Sequence, residues 1–402
     1  QKRRIAAMKN QLLHTPEGVR DIYNDECRKK QMLQDKLKKA IEGYGYQIIQ
    51  TPTFEYFDIF GKEIGTTPAK DLYKFFDREG NTLVLRPDLT PSVARAAAMY
   101  FGGEELPVRL YYMGNTFINN SSYQGRLKEN TQLGAEMIGD NSVYADAEMI
   151  SMAVESLLAA GLKEFQLSVG HSDFFTGLIE AAGLCEEAVD ELRELIANKN
   201  YFGVEEAVFH LEMEENLREL FTMLGGFYFS VDEMAKARSL AVNYPKILSA
   251  IVRLEELHKV LEAYGVGRYV SYELGMVSNY RYYTGIIFAG YTFGSGEPIL
   301  KGGRYDRLLS YFGKQAASIG FAVVIDQLMA SLARQKIAVF LPEEGEVIVY
   351  AKERFLDAVT MAKEIRKKGG NVELIGWDST RTKEEYASYA KRTHRRKTTF
   401  LE

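Results

Sequence analysis

In the segment TQLGAEM, residues 131–137, a strand would place Gln132, Gly134 and Glu136 on one face and Leu133, Ala135 and Met137 on the other, because strand side chains alternate. The polar face offers an amide, a point where backbone can be approached closely, and a carboxylate. Such a trio can floor a pocket for a small ligand with a cationic group, which Glu136 would meet. From pattern alone, a solvated strand face with a bulge glycine is the commoner reading. A second group lies in LRPDLTPS, where Asp88 stands at the mouth of a helix, favoured there by the helix dipole, and Pro91 takes its first position. Thr90 is placed to cap that helix, which accounts for it as well as ligand binding does. Arg86 could anchor a carboxylate or simply pair with one. A third group joins Tyr280, Tyr282 and Tyr283 in NYRYYTG to GGRYD, residues 302–306. Phenols beside a strand are commonly half-buried core. Two glycines followed by Arg304, Tyr305 and Asp306 make them more interesting as the wall of a site.

The elements that must hold these groups follow from periodicity. Leu33, Leu37 and Ile41 recur at helical spacing before Gly43 and Gly45. Strands are predicted at Tyr46 to Thr51, Arg109 to Phe117, Thr131 to Ile138, Phe165 to Val169 and Tyr282 to Phe293, with helices from Thr90, from Ser142 to Ala160 and from Ala322 to Ala333. From about Asp173 to Leu261 the pattern is almost wholly helical and reads as an insertion. After Pro342 come a strand, a helix from Phe355, a second strand at Val372 to Ile375 and a basic tail, KRTHRRK, read as a solvated helix end.

Composition narrows the class. A net charge of −5 with 26% charged and 46% hydrophobic residues argues for a globular chain without a polybasic nucleic-acid surface. Cys27 and Cys185 share no motif spacing, so neither a disulfide framework nor a zinc site is suggested. No apolar run approaches membrane-spanning length and the opening QKRRIAAMKNQLL has no signal-peptide core, which leads us to expect a cytoplasmic protein.

Taken in order, TPEGVRDIY, GYQIIQTPTFEYFDIF, LRPDLT, QGRLKENTQLGAEMIG, YYTG, GGRYD and IGFA resemble histidyl-tRNA synthetase over roughly residues 14 to 335. The resemblance implies an α+β, class II synthetase-like fold: an antiparallel sheet flanked by helices over residues 1–335, with the helical insertion at about 173–261. It also implies a short α/β unit at 343–402, like a truncated anticodon-binding domain, and a dimer interface near Pro52. The histidine pocket would comprise Asp88 and Thr90 at the ammonium, Gln132 and Glu136 on the strand, and Tyr282, Tyr283 and Tyr305.

The departures from the synthetase pattern are equally specific. Where the second motif has its phosphate-gripping arginine, this chain has Ile118; the catalytic arginine of the tyrosine block falls on Ser278; the third-motif arginine falls on Gln327. Adenylation depends on preorganised cations, so three aligned losses remove its chemistry. No catalytic residue and no cofactor are therefore assigned, and L-histidine is expected as an allosteric ligand whose carboxylate meets Arg126, Arg281 or backbone amides. A histidine site without its triphosphate site resembles the regulatory subunit of ATP phosphoribosyltransferase. That resemblance implies a short-form catalytic subunit as partner in a hetero-oligomer, by family a hetero-octamer, with a dimeric core and no functional tRNA binding. The alternatives are an active synthetase and a stand-alone histidine sensor.

Overall fold

The computed structural model describes residues 13–61, 67–103, 107–120, 126–226, 230–276 and 283–402. They divide into two compact units, one of residues 30–337 with those preceding 23, the other of 338–402 with 23–29.

The strands of the larger unit are, in chain order, β1 (Gln47–Ile48), β2 (Phe54–Tyr56), β3 (Lys74–Phe76), β4 (Thr82–Leu85), β5 (Val108–Phe117), β6 (Glu129–Ile138), β7 (Phe165–His171), β8 (Val270–Tyr272), β9 (Ile286–Thr292), β10 (Leu300–Arg304) and β11 (Ser318–Val324). Eight form one sheet in the order β1-β5-β6-β11-β10-β9-β7-β8, and β2, β4 and β3 form a small antiparallel one. The six inner strands of the large sheet pair antiparallel. The edge pairs β1–β5 and β7–β8 are parallel, so the sheet is mixed rather than wholly antiparallel.

Helices cover it. α1 (Asn24–Glu42) buries Leu33, Leu37 and Ile41, the stripe expected from their spacing. α2 (Thr90–Tyr100) carries the proline at its start. α3 (Val143–Ala160) is capped by Ser142, whose hydroxyl accepts from Ala145 N, and ends at Gly161 with φ 103°, a conformation that favours glycine. The insertion is α4 (Ser172–Ala182), α5 (Glu186–Ala197), α6 (Tyr201–Phe209), α7 (Glu215–Thr222), α8 (Val231–Leu240) and α9 (Pro245–Ala263). The helix expected from Ala322 begins only at Ile325, as α10 (Ile325–Arg334). Residues 318–324 are instead paired on both sides, to β10 and to β6, and this double ladder overrides their helical preference. The strand expected over 46–51 shrinks to two residues at the sheet edge, shortly before Pro52.

The smaller unit has β12 (Glu346–Tyr350), α11 (Phe355–Lys367), β13 (Val372–Gly376), α12 (Lys383–Arg392) and β14 (Lys397–Leu401), with parallel order β13-β12-β14. Val347, Val349, Tyr386 and Ala390 form its core, packed by Trp377 and Phe400. The basic run is a solvated helix end only in its first residues, Lys391 and Arg392, which stand exposed in the last turn of α12. Its first residues close α12, and Lys397 opens a third strand. Its charges face carboxylates of the same unit, Arg395 at 3.7 Å from Glu373 and Lys397 at 3.8 Å from Glu346. Among the described residues no helix is long and apolar enough to cross a membrane.

Candidate functional site

Three neighbouring strands of the large sheet build the site. Glu136 of β6 lies opposite Gly320 of β11, which lies opposite Gly303 of β10; one step along, Gly134, Ala322 and Lys301 make a parallel row. The glycines are there for close approach. A Cβ on Gly320 would collide with the Glu136 carboxylate, and one on Gly134 would fall 2.5 Å from the Tyr112 hydroxyl. Gly134 keeps regular pairing on both sides, so it marks no bulge.

Glu136 is 1% exposed and holds three hydroxyls. Its Oε1 accepts from Thr90 at 2.8 Å and from Tyr112 at 3.1 Å, and its Oε2 accepts from Tyr305 at 2.6 Å. Burial pushes the carboxyl up to about 8 from its ordinary 4.5, against the opposing pull of the Tyr305, Thr90 and Tyr112 hydroxyls. Burial, followed by the charge of Glu136, raises both phenols well above their usual range. They act here as neutral donors.

Thr90 does not cap α2. It is the first helical residue and its hydroxyl goes to Glu136, while Asp88 Oδ1 accepts from the Leu89 and Thr90 amides at 2.7 and 3.4 Å. Asp88 thereby does the work expected of the threonine, because its side chain curls back onto the helix start. Arg86 is a structural anchor: it donates to the carbonyls of Thr51, Pro52 and Asn115. Arg304 is likewise committed, its guanidinium bonded to buried Asp146 at 2.5 and 3.0 Å and to the carbonyl of Asp140. Asp306 accepts from Ser318 N at 2.9 Å. Both residues flanking Tyr305 are therefore held in place.

These groups surround a cavity of about 200 Å³. Asp88, Thr90, Gln132, Glu136, Tyr283 and Tyr305 all line it; Tyr282 lies outside the described residues. The Gln132 Oε1 is enclosed and accepts no hydrogen bond among the described residues, so the site offers an acceptor to a ligand. Ile118 and Gln327 line the same cavity as uncharged side chains, Gln327 brought there by α10, whose Asp326 accepts from Thr131 N at 2.7 Å. Ser278 and Arg281 lie outside the described residues. Arg126 does not line the cavity; it is ion-paired with Glu297, whose side chain does. The sequence reading missed Tyr112, Glu297 and Lys301. The first shared its strand with expected core, but Lys301 stood directly before GGRYD, two positions from Gly303 and so on its face of the strand.

A mixed sheet of this order flanked by helices is a class II synthetase-like core, and the carboxylate held by three hydroxyls lies in the cavity on that sheet. The comparisons agree. The family model described as histidyl-tRNA synthetase matches residues 18–328. The ATP phosphoribosyltransferase regulatory subunit of Acetivibrio thermocellus is 39% identical over 94% of this chain and 90% of its own length, and that of Ruminiclostridium cellulolyticum is 39% identical over 90% and 86%. A crystal structure from Bacillus halodurans, described as an ATP phosphoribosyltransferase regulatory subunit/histidyl-tRNA synthetase, superposes with a TM-score of 0.84 at 32% identity, covering 97% of this chain and 98% of that one. The histidyl-tRNA synthetase of Nostoc shares the fold at 20% identity, with a TM-score of 0.78 and coverage of 95% and 89%. The chain belongs to the ATP phosphoribosyltransferase regulatory subunit family, a histidyl-tRNA synthetase-like paralogue group.

Proposed function

We propose that the chain is a non-catalytic regulatory subunit that binds L-histidine around Glu136 and passes that occupancy to a separate ATP phosphoribosyltransferase catalytic subunit. It supports the partner's activity in histidine biosynthesis and feedback-inhibits it when histidine is bound. The observation that carries this reading is a split within one cavity. Asp88, Gln132, Glu136, Tyr283 and Tyr305, suited to an ammonium and an imidazole, line it together, whereas the described positions for phosphate-binding arginines are Ile118 and Gln327. Neutral imidazole has one donor and one acceptor. Glu136 accepts from the donor, and a tyrosine hydroxyl donates to the acceptor. The partner is the catalytic subunit that the relatives' names imply. Self-association through the segment around Thr51 to Phe57 is part of the proposal, supported by Phe54, Tyr56 and Phe76, which stand exposed on the small sheet.

Calorimetry with L-histidine on the full chain, together with histidine-dependent pyrophosphate exchange, tests the reading. Saturable histidine binding without exchange is expected; exchange above background would restore the synthetase alternative, and absence of binding would remove the ligand.

A further inference from the structure

We infer that Lys301 binds the carboxylate of the amino-acid ligand. This assignment rests on reading the cavity as a histidine site and names the group that the sequence left open. Among the described residues lining the cavity, Lys301 is the one cation, facing Asp88, Glu136 and Glu297.

Its place is set by strand register. Lys301 and Gly303 project from the same face of β10, since they are two residues apart. Gly303 is in line with Gly320 and Glu136, and Lys301 is in line with Ala322 and Gly134. Lys301 therefore sits two strands across and two residues along from Glu136, a backbone separation of about 12 Å by ordinary strand spacing and rise. Two side chains reaching toward each other across that diagonal leave room for a molecule the size of an amino acid. At the crossing Gly303, Gly320 and Gly134 have no side chains of their own, and the Tyr283 ring, the Glu136 carboxylate and the Tyr112 hydroxyl pack over them; Ala322 adds only a methyl.

The charge pattern selects the ligand class. Acidic groups at Glu136 and Asp88 suit an imidazole and an ammonium, and a cation at the far end suits a carboxylate, the arrangement a zwitterionic amino acid requires. Lys301 is exposed at the cavity rim; protein around it and the Arg126 charge lower its pKa, while the Glu297 and Asp88 carboxylates favour its charged form. An ammonium meeting a carboxylate makes a charge-assisted hydrogen bond, about twice as strong as a neutral one. Of the other positions considered, Arg126 is paired with Glu297 and does not line the cavity, Ile118 and Gln327 carry no charge, and Arg281 lies outside the described residues.

The test is calorimetry of the full chain, wild type, Lys301→Met and Lys301→Arg, each against L-histidine and L-histidinol, which has a hydroxymethyl in place of the carboxylate. Wild type is expected to prefer histidine; Lys301→Met should lose about ten- to a hundredfold for histidine and change by less than about twofold for histidinol, collapsing the preference. Lys301→Arg should keep the preference. Unchanged histidine affinity in Lys301→Met, or equal losses for both ligands, would overturn the assignment while leaving the histidine site standing. If wild type binds neither ligand, the reading of the cavity falls and the assignment with it.

Discussion

Replacing Glu136 by glutamine keeps its volume and removes its ability to ionise, which makes it the sharpest probe of the site. In the wild type three hydroxyls converge on two carboxylate oxygens. An amide has one acceptor oxygen, so its NH₂ must face at least one of Thr90, Tyr112 and Tyr305, whose hydroxyl then turns to accept. The ligand loses its carboxyl partner, and a buried polar group left without its hydrogen bond costs about 1 to 3 kcal/mol, or roughly ten- to a hundredfold in affinity. Calorimetry should show histidine binding weakened to that extent. The same variant has a second signature without ligand. A carboxyl raised from 4.5 to about 8 keeps a proton in the folded chain that the unfolded chain has already released. The stability it contributes is present below pH 4.5 and is lost as pH rises through about 8, with an upper limit of about 5 kcal/mol. Glu136→Gln cannot ionise, so its thermal midpoint, followed by circular dichroism between about pH 5 and pH 8, should fall less than that of the wild type. Equal pH slopes together with unchanged histidine affinity would refute the reasoning.

Three other outcomes are expected. Gly320→Ala drives a methyl into the Glu136 carboxylate and should destabilise the fold by about 1 to 3 kcal/mol and abolish measurable histidine binding; a variant that binds normally would show that the carboxylate is elsewhere. Asp146→Asn weakens the bonding of Arg304 and Arg253 to one fully buried carboxylate, so denaturant unfolding should show a loss of about 3 to 5 kcal/mol, and a neutral result would mean that solvent reaches the network. Aspartate at Phe54 and Tyr56 should shift the molar mass from light scattering toward the monomer, and an unchanged mass would place self-association elsewhere.

Much of this site was legible because strand alternation is a strict rule. Once TQLGAEM was read as a strand, Gln132, Gly134 and Glu136 had to share a face, and in the structure Gln132 and Glu136 line the cavity with Gly134 between them on the strand. The choice made by Thr90 was not legible: its hydroxyl could serve its own helix or a carboxylate 46 residues on, and tertiary packing decides that. Lys301 was missed for a related reason, since its value depends on register with Ala322 and Gly134, two strands that local pattern cannot align. Residues 322–324 are apolar and fit helix or strand equally until a partner strand is present on each side. In the smaller unit, the basic run hid a third strand because its charges are matched by Glu373 and Glu346 from distant positions.

Histidine in the Glu136 pocket is proposed to control a partner's catalysis while the chain performs no chemistry of its own. Phosphoribosyl transfer by the catalytic subunit, reconstituted with wild-type chain or with Glu136→Gln and titrated with L-histidine, tests it most directly. Activity should require the chain in both cases, and the histidine concentration for half inhibition should rise in the variant by the same factor as its dissociation constant, because inhibition can be no stronger than histidine's preference for one state of the assembly. Identical inhibition curves for wild type and variant, despite weakened binding by the variant chain, would contradict it.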